Sequence, residues 1–351
     1  MRILYIHQYF ATPRGHTGTR SYAQARAMIA AGHGVTVLTS VAQLRPDEVP
    51  PGRGLVRRGR VGGIPVIVLT IPYAQRMGYA RRLGSFALFM LAASWVALTE
   101  PGIDLVYATS TPLTVGIPAL LARGCRAIPY VFEVRDLWPD VPIALGVIRS
   151  RLLAWALGAV ERALYRQARL VVAMNGPAAD AIARKVGGGR RILVVPNACD
   201  ADFFRPDRKA AAFRPAHGLQ GQVVAVSAGA MGPVNGLDAV LDAARRLRDL
   251  RDLRFVLIGD GSRRAALERR AAAEGLANVL LLPEMPKADL AGVLAACDIG
   301  LVTVAPVPIL ELNCANKFFD YLASGLPVVL NYGGWQGDLV RAEGCGSGRA
   351  A

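Results

Sequence analysis

Two α/β units in series, each a parallel sheet with helices on both faces, are predicted by three features of the sequence. Short runs rich in Val, Ile and Leu alternate with helical patterns along nearly all of the 351 residues. The runs are apolar throughout instead of alternating, as strands covered on both faces require. Finally, the length exceeds what one core usually serves, and the pattern breaks once and then restarts.

The first half opens with strand RILYIHQ, a helix from Thr19 to Ala31, and strands VTVLTS and IPVIVL. A long apolar helix to about Leu98 follows, then strands LVYAT, PYVFEV and RLVVAM, separated by helices. After residue 204 comes a polar, basic stretch with Pro206 and Pro215 and little periodicity, which predicts a linker over 205–222. The expected domains are therefore 1–204 and 223–351. The second half reads strand VVAVSAG, helix GLDAVLDAARRL, strand RFVLIGDG, helix 263–274, strand VLLLP, helix ADLAGVLAACD, strand IGLVTV, a helix near 316–323 and strand PVVLN. Two Rossmann-like units arranged this way predict a ligand cleft at the carboxyl ends of their strands.

Composition narrows the function. With 53% hydrophobic and 19% charged residues, the chain is globular. Its five cysteines form no C-x-x-C pair, which argues against a zinc site or a disulfide framework and favours a reducing cytoplasm. The start MRILYIHQYFATPRG lacks the basic and apolar regions of a signal peptide, so the mature chain is expected to begin at Met1. The net charge of +15 is uneven: residues 1–170 carry 20 Lys+Arg against 8 Asp+Glu, and the remainder 21 against 18. Such a field favours an anionic partner, a phosphorylated substrate or an acidic lipid. Nucleic acid is disfavoured, because no aromatic-interleaved basic stretch, RNP-like strand or zinc-finger spacing occurs.

Candidate site residues gather where strands end. The first strand runs into a loop with Gly15 and Gly18 ahead of a helix capped by Thr17 or Thr19, where backbone N–H groups could meet an anion. The loop matches neither G-x-G-x-x-G nor a Walker A sequence, which disfavours a nicotinamide enzyme. YVFEVRDLWPD brings Glu133, Arg135, Asp136 and Asp140 to a strand end beside Trp138, where a carboxylate could act as base or steer a sugar hydroxyl; an Arg135–Asp136 surface pair with Asp140 as a cap is the plainer alternative. In the second half, Gly229 and Gly232 precede a helix opened by Asn235-Gly236, Gly259-Asp260-Gly261 forms another turn, and Glu284 ends the next strand. Within ELNCANKFFDYLASGLPVV, Asn316, Lys317 and Asp320 share a helical turn whose Phe318, Phe319 and Leu322 face the core. Lys317 near a helix N-terminus would reinforce an anion site, and Asp320 could accept two ribose hydroxyls.

The succession HQYF, TGTRSYAQARAMIAAGHGVTVLTS, YATSTPLTVGIPA, FEVRDLWPD, VVPNACDADFF, GLDAVLDAARRL, FVLIGDG and NKFFDYLASGLPVV resembles the retaining GT-B glycosyltransferases of family 4 over nearly the whole chain. Within that family it is similar to bacterial transferases of surface-polysaccharide synthesis, including those of the N-acetyl-L-fucosamine transferase type. The resemblance implies a nucleotide-sugar donor, UDP-linked, held by the C-terminal domain, with the acceptor on the N-terminal domain. It implies that the pyrophosphate meets the loop at Gly18, that Asp320 binds the ribose, that Glu311 contacts the sugar and that Lys317 lies near the phosphates. Arg135-Asp136 stands where many relatives carry His-Asp. No metal or other cofactor is implied, since the nucleotide-sugar is a substrate and the departing phosphate is proposed to deprotonate the acceptor on the same face.

Three departures from the family pattern stand out. The usual Glu-x7-Glu spacing is here Glu311-x8-Asp320. GAMGPVNG lacks the Arg and Lys that often follow the first C-domain strand, leaving phosphate neutralisation to Lys317 and the helix dipole. Relatives also continue beyond the equivalent of GDLVRAEGCGSGRAA, so the C-terminal domain is expected to be incomplete. Residues 83–99 carry no charge and follow Arg81-Arg82; they read as a buried helix or as an interfacial one. Arginines at 53, 57, 58, 60, 76, 81 and 82 favour contact with an anionic membrane, where a polyprenyl-diphosphate-linked sugar would serve as acceptor. The expected location is the inner face of the cell membrane, as a peripheral protein. A sugar-nucleotide 2-epimerase of the same fold and a non-catalytic truncated partner subunit are the alternatives.

Overall fold

The computed structural model describes residues 1–73 and 77–348. It forms two compact units, Met1–Pro196 and Asn197–Ala351. The first contains, in order, β1 (Arg2–Ile6), α1 (Arg20–Ala30), β2 (Gly34–Ser40), β3 (Val56–Val61), β4 (Ile64–Leu69), α2 (Tyr79–Thr99), β5 (Leu105–Thr109) and α3 (Ile117–Arg126). It continues with β6 (Tyr130–Val134), α4 (Asp140–Ala144), α5 (Arg151–Gln167), β7 (Leu170–Ala173), α6 (Gly176–Val186) and β8 (Ile192–Val194).

The strands form one sheet in the order β3-β4-β2-β1-β5-β6-β7-β8. All neighbours run parallel except β3 and β4. β3, an element the apolar pattern did not predict, carries Arg57, Arg58 and Arg60 at the sheet edge, where charge is tolerated and deters further pairing. Arg58 forms a two-pronged pair with Glu100, at 3.0 and 2.6 Å. Arg76, one of the arginines placed beside a membrane above, lies outside the described residues.

Right-handed crossovers put α1 on one face and α2, α3, α5 and α6 on the other. There α2 packs on α3, α3 on α5, and α5 on α6. The 83–99 stretch is thus an α2 segment that buries Phe89, Ala93, Val96 and Ala97 and leaves Leu88, Leu91 and Trp95 exposed. The segment Ala80–Thr99 of α2 is long and apolar enough to cross a membrane by length and composition, a test that a core helix also passes. Helix ends follow side-chain chemistry: Asn175 Oδ1 accepts from Ala178 N at 2.8 Å to start α6, and Gly187, with φ of 78°, closes it.

The second unit begins with α7 (Phe213–Ala216), followed by β9 (Val223–Ala228), α8 (Asp238–Arg246), β10 (Leu253–Ile258), α9 (Arg264–Ala273), β11 (Val279–Leu282) and α10 (Lys287–Ala295). β12 (Ile299–Val302), α11 (Asn316–Ala323), β13 (Val328–Leu330), α12 (Gly334–Ala342) and β14 (Gly346–Ser347) complete it. Its parallel sheet has the order β11-β10-β9-β12-β13-β14. One side of the core packs Val240, Leu241 and Ala244 of α8 and Leu267 of α9 against Phe255 and Leu257. Asp238 in the first turn of α8 and Arg245 and Arg246 in the last suit its dipole.

The stretch expected as a linker, 205–222, is built into this second unit. Phe213 and Leu219 are buried, and Ala210 N donates to Gly292 O at 2.9 Å. Arg214 donates to Ala296 O at 2.7 Å, Gln222 O at 2.9 Å and Asp298 Oδ2 at 2.6 Å. Two apolar anchors and one guanidinium fork do what periodicity does not reveal. The boundary accordingly falls at Pro196–Asn197, ahead of the expected residue 204.

Candidate functional site

In the second unit, the carboxyl ends of β9 and β10 are drawn together by glycine. Gly259 and Gly261 have φ of 150° and 153°. A methyl group on Gly259 would lie 1.9 Å from the Gly229 carbonyl oxygen, and one on Gly261 2.5 Å from that of Met231. Gly229 N donates to Ile258 O and Met231 N to Asp260 O, at 2.9 and 2.8 Å. The two turns therefore form one bare backbone platform. Gly236 serves a different close approach, since its added methyl would sit 2.1 Å from Val304 O, and Thr303 Oγ1 donates to Asn235 O at 2.6 Å. Asn235-Gly236 thus anchors the turn onto the end of β12, and α8 starts two residues later. Glu284 is exposed just after β11.

α11 lies over this platform because Phe318 and Tyr321 are fully buried and Ala228 N donates to Tyr321 Oη at 2.7 Å. Its first turn has Ala315 as N-cap with no side-chain cap bond, so its N–H groups stay available to an anion. Lys317 extends across Gly229: a methyl group there would meet its Cε and Nζ at 3.6 and 3.7 Å. Among the described residues Lys317 has no carboxylate or hydrogen-bonding partner, and burial pulls its ammonium down to about 8.

Asp320, one turn on, is 8% exposed. Lys287 Nζ of α10 stands 3.6 Å from Asp320 Oδ1, which accepts no hydrogen bond, and also lies 4.9 Å from the centre of the Phe204 ring. Burial raises the Asp320 carboxyl to about 6; Lys287 opposes the rise and Asp200 adds to it. Asn316 is the first residue of the helix. Glu311 sits in the short turn Pro308–Leu312, and the residues between it and α11 are extended at Asn313 and Ala315. That segment is pinned by Trp335 Nε1 donating to Asn313 O at 2.9 Å and by Asn197 Nδ2 donating to Cys314 O.

In the first unit the strand-end charges have a different character. Glu133, at the end of β6, is fully buried. Its Oε1 accepts from Arg20 Nε and Nη2 at 3.1 and 2.9 Å, Gln24 Nε2 at 2.9 Å and Tyr107 Oη at 3.0 Å, and its Oε2 from Thr109 Oγ1 at 2.5 Å. Burial pushes this carboxyl up, but Arg20, Arg135 and the bonds from Gln24 and Thr109 outweigh it and hold it below its ordinary value. Arg20 also donates to the carbonyls of Val195 and Pro196, at 2.8 and 2.5 Å. Arg135 N donates to Ser110 Oγ at 3.1 Å, and its Nη1 lies 3.4 Å from His7 Nε2. His7, buried and beside Arg135, is held well below its usual pKa and is neutral. Asp136 is exposed and accepts from Thr111 Oγ1 at 2.9 Å. Gly18 sits in the loop two residues before α1.

The structure thus brings Gly229, Gly259, Asn316, Lys317 and Asp320 together on one unit, and Glu133, Arg135 and Asp136 to one sheet end on the other. Sequence reasoning missed Arg20, Gln24, Tyr107 and Thr109, which reach Glu133 from distant positions, and Lys287 beside Asp320. For Lys287 a signal existed: only four of the 41 basic residues are lysines, at 185, 209, 287 and 317. Two of these sit against buried carboxylates, Lys185 on Glu161 and Lys287 on Asp320, and Lys317 lies over Gly229.

The chain matches two family models, one described as a glycosyl transferase 4-like domain over residues 17–198 and one as glycosyl transferases group 1 over residues 222–346. It is 23% identical over 246 residues to the probable glycosyltransferase WbjE of Pseudomonas aeruginosa, a match covering 70% of this chain and 61% of that protein. The chain therefore spans less than two thirds of the length of this curated relative. Among solved structures it is similar to sucrose-phosphate synthase from Thermosynechococcus elongatus, with a TM-score of 0.73 and 18% identity over 99% of this chain and 85% of that one. Anabaena HepE in complex with UDP-glucose gives a TM-score of 0.68 and 19% identity, over 100% and 85% of the two chains. The fold is that of the GT-B enzymes, two Rossmann-like domains in series, and the chain belongs to the glycosyl transferase 4-like family.

Proposed function

We propose that this protein is a retaining glycosyltransferase that moves a sugar from a UDP-linked donor to a lipid-linked saccharide in surface-polysaccharide synthesis. The observation that carries the reading is Lys317, an ammonium without a protein partner, set over the Gly229 turn beside an uncapped helix start. A cation and free N–H groups converging on bare backbone suit a diphosphate. Asp320, buried with an oxygen free to accept, then binds ribose hydroxyls. The HepE structure, solved with UDP-glucose, supports a uridine donor.

The protein's main task in this reading is to stabilise the departing phosphate. Lys317 and the α11 N-terminus meet the charge that develops on it, so no metal is required for that step. The phosphate takes the acceptor proton on the same face, which retains the anomeric configuration. Arg135 and Asp136 line the acceptor side, with Glu133 holding the strand end beneath them. Glu311 is assigned to the sugar and Gly18 to the pyrophosphate. Glu284, just past β11, is assigned to the donor nucleotide. The basic N-terminal unit, working as a peripheral protein on the cytoplasmic face of the membrane, meets a polyprenyl-diphosphate-linked acceptor there.

The test incubates purified protein and lipid extract with a panel of UDP-sugars and follows label into lipid. Transfer with release of UDP is expected. Epimerisation at C2 without any acceptor would replace this reading, and donor binding without turnover would make the chain a non-catalytic partner.

A further inference from the structure

The outer surface of α4 and α5 carries apolar side chains that no core requires. In VPIALGVIRSRLLAWALGAV, residues 141–160, there are two arginines and no carboxylate. Leu152 is 75% exposed, Trp155 67% and Val147 51%, with Leu153 and Ile143 also exposed. These residues cluster at the turn between the two helices and in the first turns of α5. Farther along, α5 buries Gly158, Leu164 and Tyr165 and exposes Arg166 and Gln167, as an ordinary surface helix does. The apolar excess is therefore confined to one corner.

That corner is braced from behind. Lys185 Nζ of α6 reaches Asp140 Oδ2 at 2.6 Å, at the start of α4, and Glu161 Oε1 and Oε2 of α5 at 2.6 and 2.7 Å. Tyr165 Oη donates to Glu161 Oε1 at 2.9 Å. At the tip, Arg149 Nε donates to Gly146 O at 3.1 Å, and Ser150 Oγ accepts from Leu153 N at 3.3 Å. One half-buried ammonium thus clamps both arms of the corner, so its apolar tip keeps its shape when it leaves water.

We propose that this corner, residues 143–155, is the wedge by which the protein enters an anionic lipid surface, resting on the membrane-bound reading given above. Exposed Arg149 and Arg151 flank the tip, in a stretch, residues 141–160, that holds no carboxylate, which matches phosphate headgroups. Trp155 and the leucines supply the apolar face that sinks beneath them. The same sheet face carries a second apolar stripe, Leu88, Leu91 and Trp95 of α2, with Leu121 of α3 on the helix between. Three neighbouring helices showing apolar side chains on one face suit a broad lipid plane. The corner is the anchor and the α2 stripe lies along the surface.

The test is co-sedimentation of the full chain with vesicles of phosphatidylcholine alone or mixed with phosphatidylglycerol. Wild type is expected to bind the mixed vesicles preferentially. The pair Leu152→Ser and Trp155→Ser should weaken partitioning by about tenfold or more, the loss expected for two large apolar side chains. Arg149→Gln with Arg151→Gln should remove the preference for the anionic lipid. UDP affinity and melting temperature should stay unchanged in all of them, because these side chains are exposed. If Leu91→Ser with Trp95→Ser abolished binding while the corner pair kept it, the anchor would be α2 and this inference wrong. If the corner pair changed only the oligomeric state, the surface would belong to another protein chain and the inference would again fall. If wild type bound neither vesicle, the membrane reading itself would fail.

Discussion

Glu133 and the pair Lys317 and Asp320 are buried charges at strand ends in the two units, and they differ in who satisfies them. Glu133 receives five hydrogen bonds from four residues of its own unit, and its carboxyl is held below its ordinary value. Among the described residues Lys317 has no partner and Asp320 has one, Lys287 at 3.6 Å, and both are pushed toward their neutral forms by burial. A buried charge met by the protein holds structure, whereas one left unmet costs stability unless a ligand meets it. By that contrast the first unit holds a satisfied frame, and the second is where the proposed anion site lies.

The largest expected effect attacks the satisfied side. Glu133→Ala removes the carboxylate of the buried Arg20–Glu133 pair and should lower the unfolding free energy by about 3–5 kcal/mol, the usual result of removing one partner of a buried pair. Urea denaturation measures it, and a loss under about 1 kcal/mol would erase the contrast between the two sites.

On the other side, Lys317→Met and Asp320→Asn should each weaken UDP binding about tenfold or more by calorimetry, as loss of a charge-assisted bond implies. The unfolding free energy should hold or rise for Lys317→Met, which removes a buried charge that no described residue meets. An Asp320 variant with unchanged UDP affinity would remove that carboxylate from the ribose.

The smallest effect is a pH dependence. Asp320, raised to about 6, binds more protons in the folded than in the unfolded chain, so its contribution to stability is present below its unfolded value and lost as pH rises through about 6. Lys317, lowered to about 8, contributes stability that is present above its unfolded value and lost as pH falls through about 8. Between these values both groups carry charge, and UDP affinity should be greatest there. Asp320→Asn should flatten the acid limb and Lys317→Met the alkaline one; a wild-type profile flat from pH 5 to about 9 would contradict both assignments.

Much of the frame was legible because its signal is local. Runs such as RFVLIGDG and RLVVAM announce strands buried on both faces, while the close backbone approach at Gly259 and Gly261, read from sequence only as a turn, shows itself in the packing. Lys317 and Asp320 were legible through helical spacing and family pattern together. The ring of donors around Glu133 was not, because Arg20 and Gln24 of α1 and Tyr107 and Thr109 of β5 stand far from it in sequence and meet it only through the sheet. Arg14 to Asp47 or Arg205 to Asp207 look equally good on paper and are solvated pairs. The apolar corner at 143–155 was hidden for the opposite reason: a sequence shows which residues are apolar, and only packing shows which of them the core leaves out.

The stretch 205–222 bears on how the protein can be divided or recombined with a relative. A break before Val223, where the sequence suggests one, would separate Arg214 from Asp298, whose Oδ2 also accepts from Val224 N at 2.7 Å and so fixes the start of the central strand. It would uncover the pocket filled by Phe213 and Leu219 as well. A fragment or hybrid joined at Asn197 inherits those anchors intact, so the seam for exchanging whole units lies there.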